Sequence, residues 1–206
     1  LIESANETID VEQLYIYTHW GSPSRDTVES APSPLLDALF KKAGEGVRVR
    51  MLMDSSYYNM ENDSTSNNNT ARYVSCIAES ESIPIEAGLI DLDGKGLKSL
   101  HNKGVIVDGR KVLVSSINWN ENSVMRNREA GVIIEGEAAS YYAEVFEYDW
   151  PLAEKISCNH SSSSVSGQAQ PSQPEERGMD AVWWVLSAIA WIALILAAVI
   201  YLRKGK

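Results

Sequence analysis

Asp108-Gly109 stands between two short apolar, β-prone runs, Gly104 to Val107 and Lys111 to Ser115, and no other stretch restricts the folding of this chain so tightly. An Asp-Gly pair flanked in this way predicts a tight hairpin. A two-residue turn, at Asp108-Gly109 or at Gly109-Arg110, sets odd positions of the first strand opposite even positions of the second. His101, Lys103, Ser116 and Asn118 would then share one face of the sheet, with Ile106 and Leu113 free to pack inward on the other. A three-residue loop would break that parity.

An imidazole, an ammonium, an amide and a hydroxyl on one patch suit an anionic, tetrahedral phosphorus centre. Lys103 and Asn118 would bind the non-bridging phosphate oxygens and stabilise the charge of the pentacoordinate state. His101 would attack or protonate. A histidine nucleophile must be neutral at the attacking nitrogen, and a carboxylate bonded to the other ring nitrogen fixes that tautomer.

The run LHNKGVIVDGRKVLVSSINWNENSVMRNRE, Leu100 to Glu129, carries His101, Lys103 and Asp108 in the order His-x-Lys-x4-Asp, followed by Ser116 and Asn118. It resembles the HKD motif of the phospholipase D superfamily. The resemblance covers about Leu1 to Trp150 and implies an α/β half-domain, a mixed sheet flanked by helices. It also implies that Glu129 is the orienting carboxylate and that Asp108 holds the hairpin more than it takes part in chemistry. Ser115 departs from the pattern, since the family usually has glycine there. A lone histidine near a strand is most often just a satisfied polar residue, but five matches at fixed spacing plus Glu129 argue against that here.

The family's site uses two histidines, one forming a phosphohistidine and the other acting as acid and then base. Only one copy of the motif is present. His19 has no lysine two residues on, and His160 lies in a serine-rich stretch, so neither has the surroundings of a catalytic base. The second histidine is expected from a missing N-terminal half or from a second identical chain. A start at Leu1, without an initiator methionine, favours the missing half. No cofactor is implied, and Asp91 and Asp93 lack the ligand spacing of a calcium loop.

Hydrophobic periodicity outlines the remaining elements. Val11 to Tyr17 predicts a strand, Ser33-Pro34 an N-cap and first turn for a helix through Ala43, and Val47 to Met53 a second strand. This β-α-β order argues for a parallel pair with a right-handed crossover. A polar loop over Asn59 to Asn69, a helix near Ala71 to Glu79 and a strand at Ile83 to Glu86 follow. After the hairpin come a strand at Gly131 to Ile134 and a closing helix from Glu137 to Trp150. With 206 residues and 44% hydrophobic content, one such domain with appendages fits, and two do not.

Beyond Trp150 the composition changes. Residues 151–180 predict a Ser-, Pro- and Glu-rich linker, and the charge-free run Ala181 to Leu202 is long enough for a transmembrane helix. Residues 203–206 form a basic tail, with Arg203, Lys204 and Lys206 after the span and Glu175, Glu176 and Asp180 before it. That asymmetry predicts a single pass through the cell membrane with the C-terminus cytoplasmic and the catalytic domain outside. A tail anchor with a cytosolic domain and a processed sorting tail are the competing topologies. Cys76 and Cys158 can pair in an oxidising compartment or stay as small buried residues. The Asn-x-Ser/Thr sites at Asn6, Asn62, Asn68 and Asn159 permit glycosylation without demanding it.

A net charge of −10 with no basic stripe disfavours nucleic acid as substrate. A phospholipid or other phosphodiester is the expected substrate, handled by a phosphodiesterase or phosphatidyltransferase. An HKD-type nuclease is the alternative enzyme, and a catalytically silent binding or scaffolding half-domain the alternative of another class.

Overall fold

Alternate residues of the first strand, β1 (Thr8–Gln13), point to opposite faces of a sheet and enter two different interiors. Ile9 and Val11 join an apolar cluster on one face, while Asp10 and Glu12 are buried on the other. The computed structural model describes residues 1–158 apart from 23 and 61–64. Its strands are β1, β2 (Arg48–Met53), β3 (Ile85–Leu89), β4 (Lys103–Val107), β5 (Lys111–Ser115), β6 (Gly131–Glu135) and β7 (Glu154–Lys155). The helices are α1 (Pro34–Gly44), α2 (Tyr57–Met60), α3 (Asn67–Glu81), α4 (Leu92–Lys95), α5 (Glu121–Met125) and α6 (Glu137–Asp149).

The strands form one mixed sheet in the order β6-β5-β4-β1-β2-β3-β7. The pairs β1–β2 and β2–β3 are parallel and the others antiparallel. The expected β-α-β unit is present. Leu36, Leu39 and Ala43 of α1 and Ala71 and Val74 of α3 cover one face with Ile9, Val11 and Met51. Ala139 and Phe146 of α6 cover the other with Leu52, Ile106 and Val112. Beneath α6 the Arg50 guanidinium bonds Asp10 at 2.7 and 2.9 Å and Glu147 at 2.5 and 3.2 Å.

Several element ends differ from expectation. β1 stops at Gln13 instead of running from Val11 to Tyr17, because side chains take over its backbone partners. Ile16 N–H donates to Asn67 Oδ1 and Ile16 C=O accepts from Thr70 Oγ1. The expected polar loop already contains the end of α2 and the start of α3, the latter capped by Ser66 Oγ accepting from Asn69 N–H. Ser33 takes the N-cap position of α1 without a side-chain cap bond. The domain also continues past Trp150, since β7 pairs with β3, Ala153 and Ile156 are buried, and Cys158 is disulfide-bonded to Cys76. Among the described residues no helix is long and apolar enough to cross a membrane. The rest of the expected linker, the Ala181–Leu202 span and the basic tail lie outside the described residues.

The hairpin corrects the parity argument. Val107 sits opposite Lys111 and Val105 opposite Leu113, so three residues, not two, separate the strands. Asp108 and Gly109 have φ of 52° and 61°, and Arg110 N–H donates to Val107 C=O at 3.0 Å. The left-handed Asp108 is held by its own carboxylate, which accepts from the N–H groups of Asn6, Glu7 and Thr8 at 2.8 to 3.2 Å. Ile106 and Leu113 consequently serve different apolar clusters. Lys103 lies on the face of Val105, and Ser116 follows the opposite alternation.

Candidate active site

His101 lies just ahead of β4 and is exposed, whereas Lys103 is 8% exposed at the start of that strand. The two meet through the Lys103 ammonium, 2.9 Å from His101 Nδ1, 3.4 Å from Nε2 and 2.8 Å from His101 C=O. A ring nitrogen that accepts from this ammonium carries no proton, and its lone pair is engaged in that bond. Burial lowers the Lys103 pKa, opposed by the charges of Glu129 and Asp54.

Glu129 is gathered in by neutral donors. Ser116 Oγ reaches Oε2 at 2.5 Å, Ser123 Oγ reaches Oε1 at 2.6 Å, and Asn127 Nδ2 reaches Oε1 at 3.0 Å. These bonds, in that order, hold its pKa down to about 2. Glu129 is therefore an anion at any physiological pH. The expected bond from Glu129 to His101 is not made among the described residues, because serine and asparagine donors occupy the carboxylate. Ser116 thus reaches the site through Glu129 despite lying on the other strand alternation.

Asn118 N–H donates to Ser123 Oγ at 3.0 Å, and its Oδ1 is buried without a partner. Asp108 is at the far end of β4, where burial opposes its ionisation but the N–H groups of Thr8, Glu7 and Asn6 prevail and hold its pKa low. Ser115 makes sense in place of glycine. Its hydroxyl donates to Lys103 C=O at 3.0 Å and accepts from Ile117 N–H at 3.2 Å. A Cβ on the facing Gly131 would come within 3.0 Å of Ser115 Cβ, so Gly131 leaves the room that Ser115 takes.

Three other residues escaped the sequence reading. Asp54, fully buried just beyond β2, accepts from Leu100 N–H at 2.6 Å, from Ser56 N–H and Asn59 Nδ2 at 2.9 and 2.8 Å, and from Ser56 Oγ. Asn67 Nδ2 donates at 2.8 Å to the carbonyls of Leu14 and Asp54. Glu12, 5% exposed, accepts from Asn102 Nδ2 through Oε2 and leaves Oε1 unpartnered. Burial raises the Glu12 pKa to about 7, against the Asn102 bond and with help from Asp149 and Asp10. A cleft of about 240 Å³ runs past Glu12, His101, Lys103, Val114 and Tyr142. The one available signal was position, since a polar residue directly after a parallel strand stands where α/β sheets build their sites.

No group of three or more His, Cys, Asp or Glu side chains able to hold a metal is found among the described residues.

A mixed sheet between helices, with a histidine–lysine pair beside an ionised glutamate, defines a phospholipase D-like domain. The chain belongs to the family described as "Cardiolipin synthase, PLD-like domain", which it matches over residues 1–150. It is 30% identical over 104 residues to the DISARM protein DrmC of Bacillus paralicheniformis, covering 50% of this chain and 38% of that protein. It is 29% identical over 139 residues to a phospholipase D of Rickettsia bellii, covering 67% and 58%. The chain thus spans less than two thirds of either relative.

Among solved structures, NucT from Helicobacter pylori superposes with a TM-score of 0.56 at 19% identity, over 75% of this chain and 86% of that one. The phospholipase D family member Nuc from Salmonella typhimurium gives 0.53 at 21% identity, over 76% and 86%. The phosphatidylserine synthase of Haemophilus influenzae gives 0.52 at 17%, over 75% and 35%. At these identities the likeness is one of fold.

Proposed function

We propose that this chain is one half of a phospholipase D-like phosphodiesterase or phosphatidyltransferase that works through a phosphohistidine. The observation that carries the reading is the Lys103 ammonium against the ring of an exposed His101. One histidine of the complete site attacks phosphorus, forming an N–P bond as the ester oxygen leaves with a proton from the other. Water or an acceptor alcohol, deprotonated by that second histidine, then breaks the N–P bond and frees the first. Lys103 and Asn118 stabilise the phosphoryl oxygens, and Glu129 supplies a fixed anion whose charge acts on Lys103. Asp108 holds the hairpin.

The second histidine comes from an upstream half-domain or a second identical chain. β6 ends the sheet with Val132 and Ile133 53% and 56% exposed, apolar surface that such a partner would cover. The net charge of −10 favours a lipid or small phosphodiester over nucleic acid. We further propose that residues 159–180 tether the domain to a membrane span at 181–202, with the domain outside the cytoplasm and residues 203–206 within. The Cys76–Cys158 disulfide supports an oxidising location.

The test is turnover of phosphatidylglycerol vesicles and of bis(p-nitrophenyl) phosphate by the full-length protein. His101→Ala should lower it by at least about a thousandfold with the circular dichroism unchanged. EDTA should have no effect on the soluble substrate, because side chains provide the positive charge that a metal provides elsewhere. Undiminished turnover by the variant, or loss with EDTA and rescue by a divalent cation, would overturn the proposal.

A further inference from the structure

Both chain neighbours of His101 are tied to buried acidic side chains, one in β1 and the other just beyond β2. On one side, Leu100 N–H donates to Asp54 Oδ1 at 2.6 Å. On the other, Asn102 Nδ2 donates to Glu12 Oε2, and Asn102 C=O accepts from Leu14 N–H at 3.0 Å. Asp54 cannot shift alone. Its carboxylate also collects Ser56 and Asn59, its N–H donates to Gln13 C=O, and its C=O receives Asn67 Nδ2.

Enclosing two acidic groups is costly unless their bonds offset it, and Glu12 Oε1 lacks even that compensation. Seating three residues of coil requires nothing so expensive. Both groups converge on a segment whose central side chain is the exposed His101, gripped otherwise by Lys103 alone among the described residues.

From this geometry we infer that Glu12 and Asp54 are positioning residues, a two-sided clamp that fixes the His101 backbone from β1 and from the end of β2. The ring stays open to substrate while its place against Lys103 is held. The catalytic consequence rests on the reading of His101 proposed above, whereas the clamp itself does not.

The experiment follows the histidine ring resonances by NMR in the full chain, which has three histidines. His19, 3% exposed and bridged to Pro32, is the internal control. In Glu12→Ala and Asp54→Ala the His101 signal should shift and broaden while that of His19 stays in place. Glu12→Gln, whose amide oxygen still accepts from Asn102, should restore the native His101 signal. Asn102→Ala, altering an exposed side chain, should loosen His101 even if the two buried variants fail to fold. With a chromogenic phosphodiester the alanine variants should lose about 100-fold in kcat, as a displacement near 1 Å does, with KM little changed. An unmoved His101 signal in the folded variants, or His101 and His19 moving together, would overturn the clamp. A wild-type protein without turnover would instead overturn the catalytic reading and leave the ring signals to decide the clamp.

Discussion

Three neutral donors hold Glu129 as an anion, so Glu129→Gln keeps the shape of the side chain and deletes its charge. Activity should fall by roughly ten- to a hundredfold, less than for His101→Ala, because a charge acting on Lys103 tunes the site without forming the bond to phosphorus. A pH–rate profile of the variant checks this, and equal activity at every pH would remove Glu129 from the mechanism. Glu12 has the opposite character. Its pKa rises from an ordinary 4.5 to about 7 on folding, so the folded state binds the proton more tightly than the unfolded one. The resulting stability is complete below pH about 4.5 and is lost as pH rises through about 7. Glu12→Gln mimics the protonated form. It should therefore gain on wild type across that window, by up to roughly 3 kcal/mol at pH 8, and match it near pH 4. Urea unfolding at the two pH values reads the difference.

At the scale of elements, the β4–β5 hairpin is anchored to the start of β1 by one carboxylate. Asp108→Ala strands three N–H donors and frees a left-handed residue, and should cost about 1–2 kcal/mol by urea unfolding while leaving the chemistry of His101 in place. The same hairpin shows what the sequence could reveal and what it could not. Strands β2, β4 and β5 and helix α1 were legible because apolar periodicity and the Asp-Gly and Ser-Pro signals are local. The length of the turn was not, because Asp108 and Gly109 take the positive φ that an Asp-Gly pair favours while Arg110 is left out of the β4–β5 register, its carbonyl accepting from the distant Gly136 N–H. The end of β1 was hidden for a similar reason, since Asn67 and Thr70 cap it from α3. His101, Lys103, Ser116 and Glu129 were visible as a spaced motif. Asp54 and Glu12 were not, being linked to Leu100 and Asn102 across 46 and 90 residues.

For the whole molecule, the proposed topology sets the domain outside the cytoplasm on a protease-sensitive tether. Protease added to intact cells should cut between residues 159 and 180 and release a soluble domain, while a reporter fused after Lys206 stays protected. Release only after the membrane is opened would place the domain in the cytosol. The Cys76–Cys158 bond gives the attachment a mechanical character. A pull along the chain from beyond Cys158 enters the fold at Cys76, in the middle of the 15-residue helix α3, and not at β7, whose pairing with β3 involves only Gly88 and Leu89. The weakest edge of the sheet is thereby spared tension. Reduction of the disulfide would redirect the load to peel β7 from β3 like a zipper opened from its end, beginning with Lys155 beside Gly88 and ending at Leu89, one residue from the Ile90 carbonyl that holds Ser55 next to Asp54.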